Sequence, residues 1–286
     1  AGLAPTHTWL PDGHGEAPAP ISALLSGVLL KSALYAILRF YTITNTVLGS
    51  AAFTSLIMLT LGLVSLLLAT PFILKKNRFK RVLAYHSLEH MGIITFGIGI
   101  GGPIALSGAL LHSLNHAVTK ALMFLSYGNV YRQYRQAHAD PGTFDQTQIT
   151  GVLRTMPVTG TIMILGGLAL VGMPPFNIFM SEFIILWGAV TQYQNELITI
   201  PGWQLIVATA VTLFLLSTTL IFMGLVRHLS RLVLHKMEPE PMLQERFFQD
   251  LSPLILLMGF VLLMGVWVMP PLSQLITDSV RIVLNQ

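Results

Sequence analysis

The sequence predicts an all-α polytopic membrane protein with about seven full crossings plus a half-helix, and with discontinuous helices among them. Three observations carry this. Asp, Glu, Lys and Arg make up 10% of the 286 residues and hydrophobic residues 53%, whereas soluble domains carry about 25% charge. With a mean hydropathy of +0.70, so apolar a chain cannot cover itself with polar surface in water. The apolar residues also fall into runs of the ~20 that a membrane-spanning helix needs, and prolines interrupt two of those runs.

Taken in order, residues 1–19 read as the second half of a broken helix and a loop. Ala1 to Pro11 is short and apolar, holds Pro5 and Pro11, and reads as the tail of a crossing. Residues 20–127 supply four crossings, at roughly 20–42, 51–74, 82–101 and 103–127. A loop over 128–154 leads to a broken helix at 156–195, whose two apolar stretches are split by Gly172-Met173-Pro174-Pro175-Phe176-Asn177. The last two crossings lie within 204–269, at about 204–226 and 252–269. The loop between them, 227–250, carries the stiff solvated turn Glu238-Pro239-Glu240-Pro241, and Leu272 to Gln286 form a modestly amphipathic tail. Residues 1–286 thus read as a single transmembrane domain.

Charge placement decides whether 156–195 crosses once or twice. Cytoplasmic loops carry an excess of Lys and Arg. Lys75, Lys76, Arg78, Lys80 and Arg81 follow the second full crossing, Arg132, Arg135 and Arg154 the fourth, and Arg227, Arg231, Lys236 and Arg246 the 204–226 helix. One discontinuous crossing puts all of these on the cytoplasmic side, leaving only Arg39 and Arg281 opposite; two crossings would strand the last four. The net charge of +4 is therefore explained by membrane orientation, and no nucleic-acid partner is expected. The lack of cysteine excludes disulfides, thiolate metal sites and a cysteine nucleophile. Ala1 to Pro20 has no basic stretch followed by an apolar core, so no cleavable signal peptide is read there.

Four charged residues remain inside apolar segments: Lys31, Glu89, Lys120 and Glu182. Each costs about 2.5–3.5 kcal/mol on insertion scales and needs a partner or a function. His112, His116 and Lys120 repeat every four residues, so they form one stripe on a helix face, about 12 Å long at 1.5 Å per residue. His86 and His90 form a second pair one turn apart, with Glu89 beside them. Histidine titrates near neutrality, and such a row with intervening water can pass protons stepwise. The same His-x-x-x-His spacing also suits metal or haem ligation, although Lys120 one turn on would repel a cation. A third reading is histidines that merely hydrogen-bond between helices. No Walker loop, dinucleotide-binding glycine motif, His-Glu-x-x-His zinc motif or Ser/His/Asp set is recognisable, and the glycines read as helix-packing residues.

Several segments resemble a known family. Pro5-Thr6-His7-Thr8-Trp9-Leu10-Pro11-Asp12-Gly13-His14-Gly15-Glu16-Ala17-Pro18 is similar to a P-x-H-x-W-L-P-D-A-H-x-x-A-P signature. It belongs to antiporter-like subunits, the proton-translocating membrane subunits of respiratory complex I, Mrp antiporters and membrane-bound hydrogenases. The resemblance continues through Ser22 to Lys31, Lys80 to Gly92 and Asn115 to Phe124, and covers essentially the whole chain. The Ser87-Leu88-Glu89-His90-Met91-Gly92 version and the short C-terminus resemble the F-type membrane component of hydrogenase-4, found in formate hydrogenlyase-type complexes.

This resemblance implies the C-terminal half of an antiporter-like subunit and a proton path through Lys31, His112, His116, Lys120, Glu182, His90, Glu89 and His86. Lys31 matches the bridging lysine after the first broken helix, and Glu182 the terminal Lys or Glu of the second. The family's pumping lysine would fall immediately before Ala1 and its paired glutamate further upstream, so a fragment of a longer subunit is expected. The resemblance further implies other membrane subunits and a peripheral redox arm of a hydrogenase or complex I-like assembly as partners. No cofactor is expected in this chain; iron–sulfur and nickel–iron centres are expected in partner subunits. Lipid and H⁺, with Na⁺ as the alternative ion, complete the expected ligands, and the inner (cytoplasmic) membrane is the expected location. The alternatives are a stand-alone or Mrp-type Na⁺/H⁺ antiporter subunit and a non-pumping structural membrane subunit.

Overall fold

The computed structural model describes residues 1–75, 77–138, 144–195, 201–235, 243 and 245–284. Lys76, Lys236 and the Glu238–Pro241 turn lie outside the described residues. Among those described there is no strand, and the protein is a multi-pass helical membrane domain. The helices are α1 (Trp9–Glu16), α2 (Ala19–Leu24), α3 (Leu30–Leu48), α4 (Ala52–Leu74), α5 (Phe79–Ile100), α6 (Gly102–Ala137), α7 (Val152–Thr155), α8 (Pro157–Leu170), α9 (Asn177–Asn195), α10 (Trp203–Leu234), α11 (Ser252–Val266) and α12 (Pro270–Leu284). Helices keep every backbone bond inside the segment, which lipid requires. Among the described residues four helical stretches are both long and apolar enough to cross a membrane: Ala19–Leu48, Ala52–Leu74, Trp203–Leu234 and Phe247–Val266.

Several boundaries differ from those read in the sequence. The opening segment is not helical over Ala1 to Pro11; turns occupy residues 4–8, and α1 begins at Trp9. Pro11 then falls in the first helical turn, where its missing N–H is not needed. At the other extreme, α6 runs on to Ala137 and α10 to Leu234, well into stretches read as loops. Hydropathy marks where lipid ends, not where the helix ends: Arg132, Arg135, Arg227 and Arg231 are good helix formers and continue the rods into water.

α2 and α3 form one continuous rod through a π-helical turn, Leu25–Leu29. Its inward residues Ser22, Ser26, Leu30, Leu34 and Leu38 are spaced by four. A plain α-helix would rotate such a stripe about 40° per step. The wider turn takes up part of that drift, and the Leu30 N–H reaches back five residues to the Leu25 carbonyl.

At the centre, α5 packs between α4, α6 and α9, and every residue from Val82 to Ile100 is buried. Gly62 of α4 faces Gly92 and Phe96 of α5; a Cβ on Gly62 would stand 2.7 Å from the Gly92 carbonyl, so backbones meet directly, as small residues allow in membranes. His228 of α10 donates from Nε2 towards the Ile73 and Lys75 carbonyls, at 3.0 and 3.1 Å, tying α10 to the end of α4.

The course of α8 and α9 is fixed by their partners on α6. Tyr134 pairs with Thr155 through their hydroxyls at 2.8 Å, and Met123 lies against Gly166. Asn115 donates to the Asn177 carbonyl at 2.7 Å, Gly108 packs on Ile185, and Ala105 on Gly188. As one number falls the other rises without reversal, so α8 and α9 form one interrupted path antiparallel to α6, not a hairpin. Gly172, at φ 69°, ends α8 in the left-handed region that glycine tolerates best, and Gly265 of α11 packs on the Pro175–Asn177 backbone.

Candidate functional site

Each predicted residue is placed by one of four helices. α3 carries Lys31, α5 carries His86, Glu89 and His90, α6 carries His112, His116 and Lys120, and α9 carries Glu182. The residues on α5 and α6 lie where helix meets helix: His86, His90, His112, His116 and Lys120 are fully closed to solvent, and Glu89 is 3% exposed.

The π turn serves the first of the set. Lys31 Nζ donates to the Ser26 carbonyl at 3.1 Å and touches His116 Nδ1. Such turns frequently mark functional positions because they leave main-chain acceptors available. The Ser26 hydroxyl in turn meets that of Ser87 on α5 at 3.0 Å. With Lys31 donating, His116 Nδ1 is the acceptor and Nε2 carries the ring hydrogen.

From His116 the network crosses to α5 and back. The His90 and His116 rings lie 4.8 Å apart, and His90 Nδ1 is 3.0 Å from His112 Nε2. His112 Nδ1 then meets Ser181 Oγ on α9 at 3.0 Å. Potential ligand atoms of His90, His112 and Glu182 all lie within 4.8 Å of one another. Glu182 itself sits over Gly172, in space that a side chain there would fill.

The array therefore runs Lys31, His116, His90 and His112, with Ser181 bonded to His112 and Glu182 lying close to His90 and His112. Only the step from His112 to His116 separates its levels on α6, about 6 Å of rise. It runs sideways through the bundle and not up the α6 stripe. Lys120 leaves this line: its Nζ donates to the Leu83 carbonyl at 2.5 Å and stands 5.7 Å from the Phe124 ring centroid. His86 Nδ1 pairs with Glu89 Oε2 at 2.6 Å, and Glu89 and Lys120 act on one another electrostatically.

Sequence reasoning missed the residues that brace this array. Asn115 donates to Ser181 Oγ at 3.2 Å as well as to the Asn177 carbonyl. Asn177 Nδ2 returns a bond to the Asn115 carbonyl at 3.2 Å, and its Oδ1 accepts from Thr119 at 3.1 Å. Asn177 Oδ1 also accepts from the Ile178 N–H at 2.9 Å, satisfying a backbone donor at the start of α9 just after the Pro174–Pro175 break, as a break inside a membrane requires. A polar residue directly after a proline break, as Asn177 is, was the available signal. The buried Nε2 atoms of His86, His90 and His116 have no hydrogen-bond partner among the described residues.

Among the described residues two donor groups are compact enough for a metal ion, His86/Glu89/His90 and His90/His112/Glu182. In the present arrangement His86 Nδ1 is held by Glu89, His90 Nδ1 by His112, and both nitrogens of His112 are engaged, so a cation bound there would have to displace these bonds.

Comparison with known proteins agrees with this architecture. The family model described as NADH:quinone oxidoreductase/Mrp antiporter, TM matches residues 1–209. The hydrogenase-4 component F homolog of Methylacidiphilum infernorum (isolate V4) is 43% identical over 189 residues, covering 66% of this chain and 38% of that protein. The NAD(P)H-quinone oxidoreductase chain 4 of Prochlorococcus marinus (strain MIT 9301) is 30% identical over 251 residues, covering 88% of this chain and 44% of that one. The chain thus spans less than half the length of either curated relative. Among solved structures, a chain of the membrane-bound sulfane sulfur reductase, an archaeal respiratory membrane complex, superposes with a TM-score of 0.81 at 25% identity, over 99% of this chain and 53% of that one. A family match across most of the sequence, on a fold with interrupted helices and a buried polar axis, means that this chain belongs to the NADH:quinone oxidoreductase/Mrp antiporter membrane family.

Proposed function

We propose that this chain is part of a proton-translocating membrane subunit of a redox-driven complex of the hydrogenase-4 or complex I-like type, working in the inner (cytoplasmic) membrane. One observation carries the reading: an array of titratable side chains that runs from half-buried Lys31 through the fully buried His116, His90 and His112 to half-buried Glu182. Electron transfer belongs to partner subunits, a peripheral arm holding iron–sulfur and nickel–iron centres, while other membrane subunits flank this one. Nearby charges in a dry site stabilise or expel one another strongly. A charge arriving at one end of the array changes which partner each lysine can hold, and a proton then shifts between Lys31, the histidines and Glu182. Histidines suit this role because each ring binds a proton on one nitrogen while releasing one from the other.

The test uses the full complex, purified through a tag on this subunit in mild detergent and reconstituted. Lys31→Ala and Glu182→Gln are expected to lower proton pumping at least tenfold while partner subunits still co-purify. Full pumping in both variants overturns the assigned path. Recovery of hydrogenase and iron–sulfur subunits places the complex on the hydrogen-evolving side. Recovery of small antiporter subunits alone, with Na⁺/H⁺ exchange needing no electron donor, favours the Mrp-type reading instead.

A further inference from the structure

The basic end of the bundle holds a cavity that the polar array does not use. It has a volume of about 480 Å³ and lies between the Gly15–Pro20 connection and the later turns of α6. Lys80 of α5 and Arg132 and Arg135 of α6 line it, against one lining carboxylate, Glu16. Lys80 is only 8% exposed, and its ammonium bonds the Ala17 carbonyl. Arg132 gives Nη2 to Asp250, which leaves most of a five-donor guanidinium for other acceptors. With Asp250 included, positive charge is still in excess. The lining therefore favours an anion, and the planar fork of arginine suits phosphate in particular.

A second observation says what carries that anion. Pro20 and Leu125 also line the cavity, and from Leu125 an apolar strip runs away from it along α6. The strip is Leu125, Ala121, Val118 and Leu114, whose spacing of four, three and four keeps them on one face. All four are left partly uncovered, Leu114 to 38%. On the neighbouring α2–α3 rod, Leu24 and Val28 are 58% and 57% exposed. The rod is pressed against α6 at Ala19 with Gly128 and at Gly27 with Ala117, so the strip runs beside a closed seam and ends in the cavity. Cations at the membrane boundary, with uncovered hydrocarbon directly below them, match the two ends of a phospholipid.

We propose that this cavity binds the headgroup phosphate of one anionic phospholipid, whose acyl chains lie along the Leu114–Leu125 strip. Basic pockets between membrane helices suit such headgroups. Lys80, Arg132 and Arg135 meet the phosphate oxygens, and Leu125 marks the level where glycerol gives way to hydrocarbon. A zwitterionic lipid would bring its own cation among these three and is disfavoured. A free phosphate ion would satisfy the cations and leave the strip unused.

The test uses the complete complex, purified through a tag on this subunit and placed in nanodiscs. These contain a trace of phosphatidylglycerol or of phosphatidylcholine, each with a photoreactive diazirine in one acyl chain. Illumination and peptide mass spectrometry read how much label reaches the Leu114–Leu125 stretch. Phosphatidylglycerol is expected to label it about fivefold more than phosphatidylcholine, with no such excess at the exposed residues Phe53, Val64 and Leu67 of α4. Arg135→Glu, at the exposed end of α6, is expected to cut the excess about threefold or more, and Arg135→Lys to keep most of it. Equal labelling by the two lipids means ordinary bilayer contact and overturns the proposal, as does an excess that Arg135→Glu leaves unchanged. Equal labelling together with retention of radiolabelled inorganic phosphate, lost in Arg135→Glu, assigns the cavity to the free anion and overturns the lipid. Should Arg135→Glu not assemble, Lys80→Gln, which keeps a donor for the Ala17 carbonyl, takes its place under the same criteria.

Discussion

Helices α4 and α5 are neighbours of nearly equal length, 23 and 22 residues, and they follow opposite rules. α4 carries no charged residue, is apolar enough to be recognised as a membrane span, and turns Phe53, Val64 and Leu67 outward. α5 carries Lys80, Arg81, His86, Glu89 and His90, falls short of the same criterion, and is buried from Val82 to Ile100. In a soluble protein the most buried helix is the most apolar. Here the requirement for apolarity comes from lipid contact, and a helix that other helices shield can hold charge and histidine at mid-membrane depth. The polar path is tolerated only because α4, α10 and α11 stand between it and the lipid.

Three substitutions break or sharpen that contrast. The largest effect is expected where the two helices touch. Gly62→Leu puts a side chain into the α5 backbone, with even its Cβ 2.7 Å from the Gly92 carbonyl. A loss of about 3 kcal/mol or more follows, measured as the fall in thermal unfolding temperature in detergent; an unchanged transition would mean that the close approach does not hold the pair together. Next comes Val64→Lys, which moves a charge like that of Lys120 onto the lipid face. It is expected to cost about 2.5–3.5 kcal/mol in a membrane-insertion assay, and normal insertion would show that shielding is not what permits Lys120. The smallest is Ser181→Ala. It removes the oxygen that His112 and Asn115 share, worth about 1 kcal/mol, so pumping should slow about fivefold with the complex still assembled. A greater loss would make Ser181 an obligatory link, and no loss would mean water replaces it.

Much of the fold was legible because lipid imposes a simple rule on sequence. The runs at 51–74 and 156–195 become α4 and the α8–α9 path, and the order of cations along the chain already favoured an interrupted crossing. Helix ends were less legible, since Arg132 and Arg231 say that water is near but not that the helix stops. The candidate residues were readable one at a time: Lys31, Glu89, Lys120 and Glu182 stand out as charges in apolar surroundings. Their connections were not. The four-residue spacing of His112, His116 and Lys120 suggests a ladder along α6, whereas His116 bonds across to Lys31, His112 to His90 and Ser181, and Lys120 turns aside to Leu83. Periodicity gives a shared face; only packing decides what that face meets.

The wide turn at Leu25–Leu29 bears on how this segment can change by insertion or deletion. Removing one residue within that turn would return it to ordinary α-helical bonding, the Leu30 N–H reaching back four residues instead of five, and would leave the flanking faces nearly in phase. Removing one from an ordinary turn of α3 would instead swing one side of the cut by about 100° relative to the other. The wide turn is thus a place where a single-codon deletion spares the register of the rod and removes only the main-chain geometry through which Ser26 meets Lys31.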